Sequence, residues 1–515
     1  LNQNNKKNVL LITADQWRGE CLSFLGHPCV QTPSLDALAE DAVAFTSHFA
    51  QCAPCGPSRT SLHTGMYLQN HRSVRNGTPL DARHTNVALE ARRAGHDPVL
   101  FGYTDTTPDP RGRSVESLAR GYEDVLPGFA EEAVLGCDHQ PWLEDLKAKG
   151  YDVSGGFEGI FNPRPGSEAE YDSNGGHVSA APPIYSAEDS PTGFLTNRFL
   201  DYLKTRNGEG WFAHVSYLRP HPPFIAPEPY NTMYDPKDVP KPIHAAVSPE
   251  EEAHQHPWLA AALETTGDWL LPWHVDGSVS EISELDVLQT RATYYGLISK
   301  VDAYLGRIIQ HLKDSGEYDN TLIIFTSDHG EMLGDRWLFG KRGWFDEGYR
   351  VPMIVRAPGM TEPGKTVTSF TEAIDIMPTV LEWLGLDIPR QCDGRSLLPF
   401  LMGGTPDNWR TEAHWEYDFR DVEDDAVERK LGIGLDQCTM NVIRGERYKY
   451  VHFTNLPPLF FDRQADPFEL TNLADDPAYA PLVMEYAQKM LSWRMSNDER
   501  TLTHILVKPG EVMSR

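Results

Sequence analysis

Cysteine is scarce. Seven residues, Cys21, Cys29, Cys52, Cys55, Cys137, Cys392 and Cys438, are scattered over 515 positions. Such spacing excludes a disulfide-built scaffold. Cys52 and Cys55 form a C-x-x-C pair, but no second ligand pair is evident that would make it a structural zinc site. Positive charge is also in short supply: 46 Lys and Arg stand against 74 Asp and Glu, a net charge of -28. A surface this acidic excludes general binding to nucleic acid or to anionic membranes, while leaving room for a local basic pocket that takes an anion. No apolar run approaches a membrane span. Leu1 to Asn8 is polar and lysine-containing, with no room for a secretory apolar segment before the first strand, so the expected location is cytoplasmic. Internal repeats and low-complexity tracts are absent as well.

What is present fits an enzyme-sized globular chain. Hydrophobic residues make up 40% and charged residues 23%, and the length suits two domains or one large domain with a satellite. Asn8–Thr13 is a short apolar run ending at Asp15, the pattern of a buried parallel strand that delivers a polar residue from its carboxyl end. Val99–Tyr103, Trp211–Tyr217, Thr321–Thr326 and Val351–Val355 read as further core strands. Ser34–Phe45, a helix beginning near Ser58, Val87–Ala94, Val287–Leu312 and Ile374–Leu386 alternate with them in helical period. This alternation predicts an α/β fold, a large mainly parallel sheet flanked by helices on both faces. It is assigned to residues 1–400, with loop-like insertions around 155–191 and 250–284. The pattern changes after Phe400. Met440–Ile443, Tyr448–Phe453 and Leu459–Phe461 predict a smaller C-terminal antiparallel unit over 401–515, ending in a tail that could cross to a neighbouring subunit.

Two strand ends carry candidate chemistry: Asp15 after LLIT, and Asp328 and His329 after IIFTS. Ligands bind beyond the carboxyl ends of strands in open parallel sheets, and two carboxylates with an imidazole can hold a divalent metal. The plain alternative is that each is a cap, a turn residue or an ordinary polar side chain. Arg59 follows Cys55 by four residues, which on a helix places both on one face.

The segment Cys55-Gly56-Pro57-Ser58-Arg59, closed by Thr64-Gly65, resembles the C-x-P-S-R signature of the type I sulfatase family. The likeness spans nearly the whole chain, including DQWR near the start, SDHGE at Ser327–Glu331 and FDRQADPFELTNLA at Phe461–Ala474. A narrower likeness, to phosphonate monoester hydrolases and the arylsulfatases grouped with them, lies in GYTDTTPDP, YLRPHPPF and GKRG. The resemblance implies an alkaline-phosphatase-like fold, conversion of Cys55 to formylglycine by a formylglycine-generating enzyme, and one divalent metal. It implies that Asp15, Asp328, His329 and the modified Cys55 hold that metal, and that Arg59 orients the nucleophile. Lys341 would face the transferred group and His221 the leaving group as general acid. Asn76 and Tyr103 would line the substrate pocket, each with a turn or packing role as the plain alternative.

Three departures bear on specificity. Gln16 stands where sulfatases commonly carry a second aspartate, which allows a metal-approaching, structural or substrate role. His329 stands in place of a familiar asparagine, which suits manganese or zinc better than calcium, with manganese first. Asp105 replaces a threonine and would repel an anionic substrate unless protonated, paired or turned away. The implied activity is sulfuric ester hydrolysis of a small anionic ester, promiscuous toward phosphonate monoesters and phosphate diesters. A dedicated phosphonate monoester hydrolase or phosphodiesterase is the alternative. An inactive anion-binding protein on the same fold is the non-enzyme reading. A homodimer or homotetramer is the implied assembly.

Overall fold

A computed structural model of the chain describes residues 7–136, 138–169, 177–206, 210–264 and 282–514. Eight strands form the central sheet: β1 (Asn8–Ala14), β2 (Val43–Phe45), β3 (Val99–Gly102), β4 (Ala130–Val134), β5 (Phe212–Tyr217), β6 (Thr321–Thr326), β7 (Met353–Arg356) and β8 (Lys365–Val367). Their order is β8-β2-β7-β6-β1-β5-β3-β4. Only β7 runs against its neighbours; the other pairings are parallel.

The central strands are apolar on both sides because both sides are covered. Leu10 and Ile12 of β1 join Ile323 and Phe325 of β6 in one core, while Val9 and Leu11 join Leu322 and Ile324 in the other. The first core is roofed by the helices Pro191–Thr205 and Glu284–Ser315. The second is covered by the helices Val87–Arg93 and Ile376–Leu384. The result is the mainly parallel α/β sheet that the alternating pattern predicts.

The expected helix Ser34–Phe45 is shorter than its period suggested. It spans Pro33–Glu40, and Val43–Phe45 is strand β2 instead. Pairing on both edges, with β7 and β8, gives this β-branched and aromatic triplet a better partner than a helix face could. The acidic insertion at 250–284 contains the helices Pro249–Ala253 and Pro257–Glu264. Trp258 and Leu259 of the second helix are buried in an apolar cluster with Phe419 and Met440. In the insertion at 155–191 a short helix spans Gly156–Ile160. Residues 170–176 and 265–281 of these two insertions lie outside the described residues, as does Cys137.

The C-terminal sheet is antiparallel: β9 (Ala413–Asp418), β10 (Thr439–Arg444), β11 (Tyr448–Phe453) and β12 (Leu459–Asp462). The two-residue strand Cys52–Ala53 joins its β9 edge in parallel, with Glu416 opposite Cys52. The segment entering the Cys55 helix is therefore anchored by the small sheet, while that helix lies against the large one. At the chain end Ile505–Lys508 and Glu511–Ser514 pair into a solvent-exposed hairpin. Among the described residues, no helix is long and apolar enough to cross a membrane.

Candidate active site

Strands β1 and β6 pair in parallel with Thr13 opposite Thr326, so both end at the same edge of the sheet. This register sets Asp15 beside Asp328 and His329. The helix Cys55–Thr64 points its N-terminus at them, with Cys55 as its first residue and Arg59 one turn further on. Gly56 has no room for a side chain: a Cβ there would lie 3.0 Å from Asn76 Oδ1 and 3.1 Å from the Asp105 carbonyl oxygen. That close approach lets the Gly56 N–H donate to Asn76 Oδ1 at 2.8 Å.

Arg59 is the hub. Its Nε donates to Asp328 Oδ2 at 2.8 Å, its Nη2 to Asp15 Oδ2 at 3.1 Å, and its Nη1 to Ser216 Oγ at 2.7 Å and the Tyr103 carbonyl at 3.1 Å. The Tyr103 ring stacks 4.2 Å from the guanidinium, and its hydroxyl donates to Asp15 Oδ2 at 2.8 Å. Asp328 Oδ1 accepts the backbone N–H of Gln16 at 3.2 Å and of His329 at 3.0 Å.

Four donor atoms converge on one point. One potential ligand atom from each of Asp15, Cys55, Asp328 and His329 lies within 4.8 Å of the other three. His329 Nδ1 lies 3.1 Å from the Gly330 carbonyl and so carries the hydrogen, which leaves Nε2 bare. That nitrogen faces Cys55 Sγ at 3.2 Å and the two carboxylates at 3.7 Å. Asp15 Oδ1 is buried there with no hydrogen-bond partner. An orphaned buried carboxylate oxygen beside a bare imidazole nitrogen fits a divalent cation well.

The electrostatics agree with that fit. Burial and Asp328 raise the pKa of Asp15 despite Arg59. Burial also opposes charge on Asp328, but His329, Arg59 and Lys341 hold its pKa below the ordinary range. Burial brings His329 down to about 4, so its imidazole is neutral and ligand-ready. Burial, reinforced by Asp15, pushes the Cys55 thiol well above its usual value. An unmodified Cys55 is thus a protonated thiol and a poor nucleophile.

A cavity of about 890 Å³ opens over this cluster. Asp15, Cys55, Asn76, Tyr103, Asp105, His221 and Lys341 line it, whereas Arg59, Gln16, Asp328 and His329 are buried behind its wall. Lys341 Nζ donates to Gln16 Oε1 at 2.8 Å and lies 3.4 Å from His221 Nε2. His221 Nδ1 is 2.7 Å from the Pro222 carbonyl, which places the ring hydrogen on that side. Burial and Lys341 hold His221 neutral, so Lys341 is the proton-bearing member of this pair. Burial opposes charge on Lys341 too, yet Cys55, Asp15 and Asp328 raise its pKa. Gln16, whose place in the sequence allows a metal-approaching, structural or substrate role, spends both ends of its amide inside the protein, as the structural role requires: Oε1 on Lys341, Nε2 on Glu331. Asp105, in the left-handed region at φ 48°, lies 3.7 Å from Arg59 Nε, and burial pushes its pKa well up. It is therefore both paired and biased toward its protonated form. Cys52 is buried with its Sγ 3.4 Å from Ser61 Oγ, outside the four-residue cluster.

Several residues were not legible in the sequence. Ser216, next to the last residue of strand β5, supports Arg59. Tyr122, Trp258, Tyr417, Phe419 and Arg420 line the outer cavity. They come from segments far apart in the chain, and no local motif marks them. Arg342 also lines it, and its place beside Lys341 in GKRG is the one available signal.

Comparison with known proteins agrees with this geometry. The family model described as Sulfatase matches residues 7–386, and one described as N-sulphoglucosamine sulphohydrolase, C-terminal, matches residues 334–496. The chain is 45% identical to the multifunctional alkaline phosphatase superfamily protein PehA of Trinickia caryophylli, covering 99% of each. It is 28% identical to an arylsulfatase of Clostridium perfringens, over 97% of this chain and 96% of that one. The crystal structure of the phosphonate monoester hydrolase of Agrobacterium radiobacter superposes with a TM-score of 0.93 at 47% identity, covering 99% of this chain and 100% of that one. With the Sulfatase model spanning well over half its length and these relatives matching it end to end, the chain belongs to the sulfatase family of hydrolases.

Proposed function

We propose that this chain hydrolyses singly charged oxyanion esters, phosphonate monoesters first, with sulfate monoesters and phosphate diesters accepted by the same pocket. One observation carries the reading. The Asp15–Cys55–Asp328–His329 cluster and Lys341 meet at one open cavity, in a chain alike from end to end to PehA and to a phosphonate monoester hydrolase. A dedicated arylsulfatase is the second reading, favoured by the likeness to the Clostridium perfringens enzyme.

On this reading Cys55 is converted to formylglycine by a formylglycine-generating enzyme, and its hydrate supplies the oxygen nucleophile that a protonated thiol lacks. Asp15, Asp328, His329 and the oxygen at position 55 would hold a divalent ion, manganese first given the imidazole. Once bound, it supplies positive charge to the transferred oxyanion and lowers the pKa of the attacking oxygen. Arg59 holds both carboxylates in place and Tyr103 orients Asp15. Lys341 carries the proton that the leaving oxygen needs, and His221 accepts a hydrogen bond from it. Asn76 steadies the helix entry through Gly56 and turns its remaining amide N–H₂ to the substrate. The exposed apolar hairpin at the chain end supports assembly as a homodimer or homotetramer.

The test is a matched panel of aryl esters compared by kcat/KM, which reports transition-state stabilisation from free enzyme and substrate. Phosphonate monoester, sulfate monoester and phosphate diester are expected to turn over, with phosphate monoester poorest where Asp105 is ionised and gaining on them as Asp105 takes up its proton. Preference for the phosphate monoester would overturn the reading.

A further inference from the structure

Besides its contact with His221, Lys341 is held in two ways that both end on one carboxylate. Glu331 is fully buried. Its Oε1 accepts the backbone N–H of Leu333 at 2.9 Å and of Gly340 at 2.6 Å. Its Oε2 accepts the amide N–H of Gln16. Gly340 immediately precedes Lys341 and sits at φ 80°, so the first hold fixes the backbone from which Lys341 springs. The second runs through Gln16 Oε1 to the ammonium itself, at 2.8 Å.

The polarity of this chain allows one arrangement. A carboxylate only accepts and an ammonium only donates, whereas an amide offers one end of each kind. With Glu331 on one side and Lys341 on the other, the Gln16 amide satisfies both only with its oxygen toward Lys341. Gln16 also lies at φ 70°, a left-handed backbone that a non-glycine residue keeps at a cost of order 1 kcal/mol or more, and only where its surroundings over-determine it. The sequence marks Glu331 only as the end of SDHGE.

We propose that Glu331 is a positioning residue for Lys341, acting through the orientation of the Gln16 amide and through the Gly340 N–H. The inference rests on the reading of Lys341 as the group that meets the leaving oxygen, and it adds what holds Lys341 there. Glu331→Gln is the informative change. Its remaining oxygen still accepts from Leu333 and Gly340, but it turns an N–H₂ on Gln16. The Gln16 amide must then reverse and face Lys341 with its own N–H₂, donor against donor. Combining Glu331→Gln with Gln16→Glu restores the polarity, since a carboxylate at position 16 accepts from the amide at 331 and from Lys341 together.

Each single substitution is expected to lower kcat/KM for the phosphonate ester by about 10- to 100-fold, the range typical of lost supporting hydrogen bonds. The double variant is expected to regain most of that loss, with metal content unchanged throughout. Crystal structures read the same point without reference to turnover. Lys341 Nζ should leave residue 16 in Glu331→Gln and return in the double variant. Gln16→Met cuts the amide hold alone, leaves Glu331 its two backbone donors, and should displace Lys341 as well. If Lys341 stays in place in both Glu331→Gln and Gln16→Met, the positioning role is overturned, as it is if the double variant is no better than either single. Absence of ester turnover in the unsubstituted enzyme would instead sink the functional reading, while the crystal structures still decide what holds Lys341.

Discussion

Replacing Arg59 by methionine tests the hub of the site. The substitution keeps most of the side-chain length and removes only the guanidinium. Asp15 and Asp328 then lose the cation that bridges them, at 3.1 and 2.8 Å, and both remain buried. Removing one partner of a buried charged set costs about 3–5 kcal/mol, because the charge left behind has neither solvent nor counterion. An unfolding entropy of about 2.1 cal/mol/K per residue scales to about 1 kcal/mol/K for a chain this long, so the thermal midpoint should fall by about 3–5 °C. The assay is calorimetry after exhaustive chelation, so that a bound cation cannot take over the neutralising role. Arg59→Lys should recover less than half of the loss, since one ammonium cannot reach Asp15, Asp328, Ser216 and the Tyr103 carbonyl together. The pH dependence has a definite sign. Asp328 has its folded pKa depressed, so its stabilisation is present above the ordinary carboxylate range and fades as pH falls through the folded value. The gap between parent and Arg59→Met should therefore narrow in acid. A midpoint within about 1 °C of the parent at neutral pH would refute the reasoning.

Four further outcomes are expected. Peptide mass spectrometry of active enzyme should find the aldehyde at Cys55 and a free thiol at Cys52, with turnover lost in Cys55→Ala; active protein wholly unmodified at Cys55 would end the formylglycine reading. Elemental analysis with anomalous scattering should place one manganese between Asp15, Asp328 and His329, with occupancy falling more in Asp328→Asn than in Lys341→Ala. Asp105→Thr should change kcat/KM for phosphate monoesters by a larger factor than for phosphonate monoesters, since a doubly charged group senses a nearby ionised carboxyl more strongly; equal factors would show that Asp105 presents no charge to the substrate. Stability should fall between pH 6.5 and 4, because burial lowers His48, His71, His139 and His414 to about 3, so the unfolded chain takes up their protons first. Each contributes a slope of up to about 1.4 kcal/mol per pH unit. Carboxyls raised by burial act in the opposite sense, Asp302 and Asp393 to about 6 and Glu347 to about 7, with Asp15, Asp105, Glu331, Glu372 and Glu416 raised as well, but among the described residues thirteen lowered histidines outnumber these eight. A thermal midpoint that is flat over this range would contradict the burial of these histidines.

The sequence was most readable where chemistry and fold share one short segment. Asp15 and Asp328 were found because each ends an apolar run, and a buried strand can carry a carboxylate only where it leaves the sheet. Cys55 and Arg59 stand out because their segment resembles the C-x-P-S-R signature, and helix spacing adds only that residues four apart share one face. What could not be read depends on segments meeting across long separations. Ser216 looks like one polar position in a core strand until β5 lies near Arg59. Trp258 reads as part of an acidic insertion, and its burial becomes evident only when the Pro257–Glu264 helix meets the C-terminal sheet. Val43–Phe45 failed for the same reason, since three residues in helical period become a strand when two edges are available to pair with.

Asp105 gains its meaning from the charge balance of the site. Asp15, Asp328 and Asp105 offer three carboxylates; Arg59 and Lys341 offer two cations, and both His221 and His329 are held neutral. Fully ionised, these groups leave one negative charge, and a divalent ion turns that into one positive charge. A monoester of sulfate or phosphonate, or a phosphate diester, brings a single negative charge and closes the balance. If Asp105 instead keeps its proton, as burial favours, the loaded site carries two positive charges and a doubly charged phosphate monoester is less penalised. On the proposed function, the protonation of this one carboxyl would therefore set the substrate charge that the pocket matches. Arg59 is the group on which the choice turns, because its contact with Asp105 at 3.7 Å is the interaction that favours ionisation against burial. A threonine at position 105 removes the choice and leaves the pocket permanently in its more positive state.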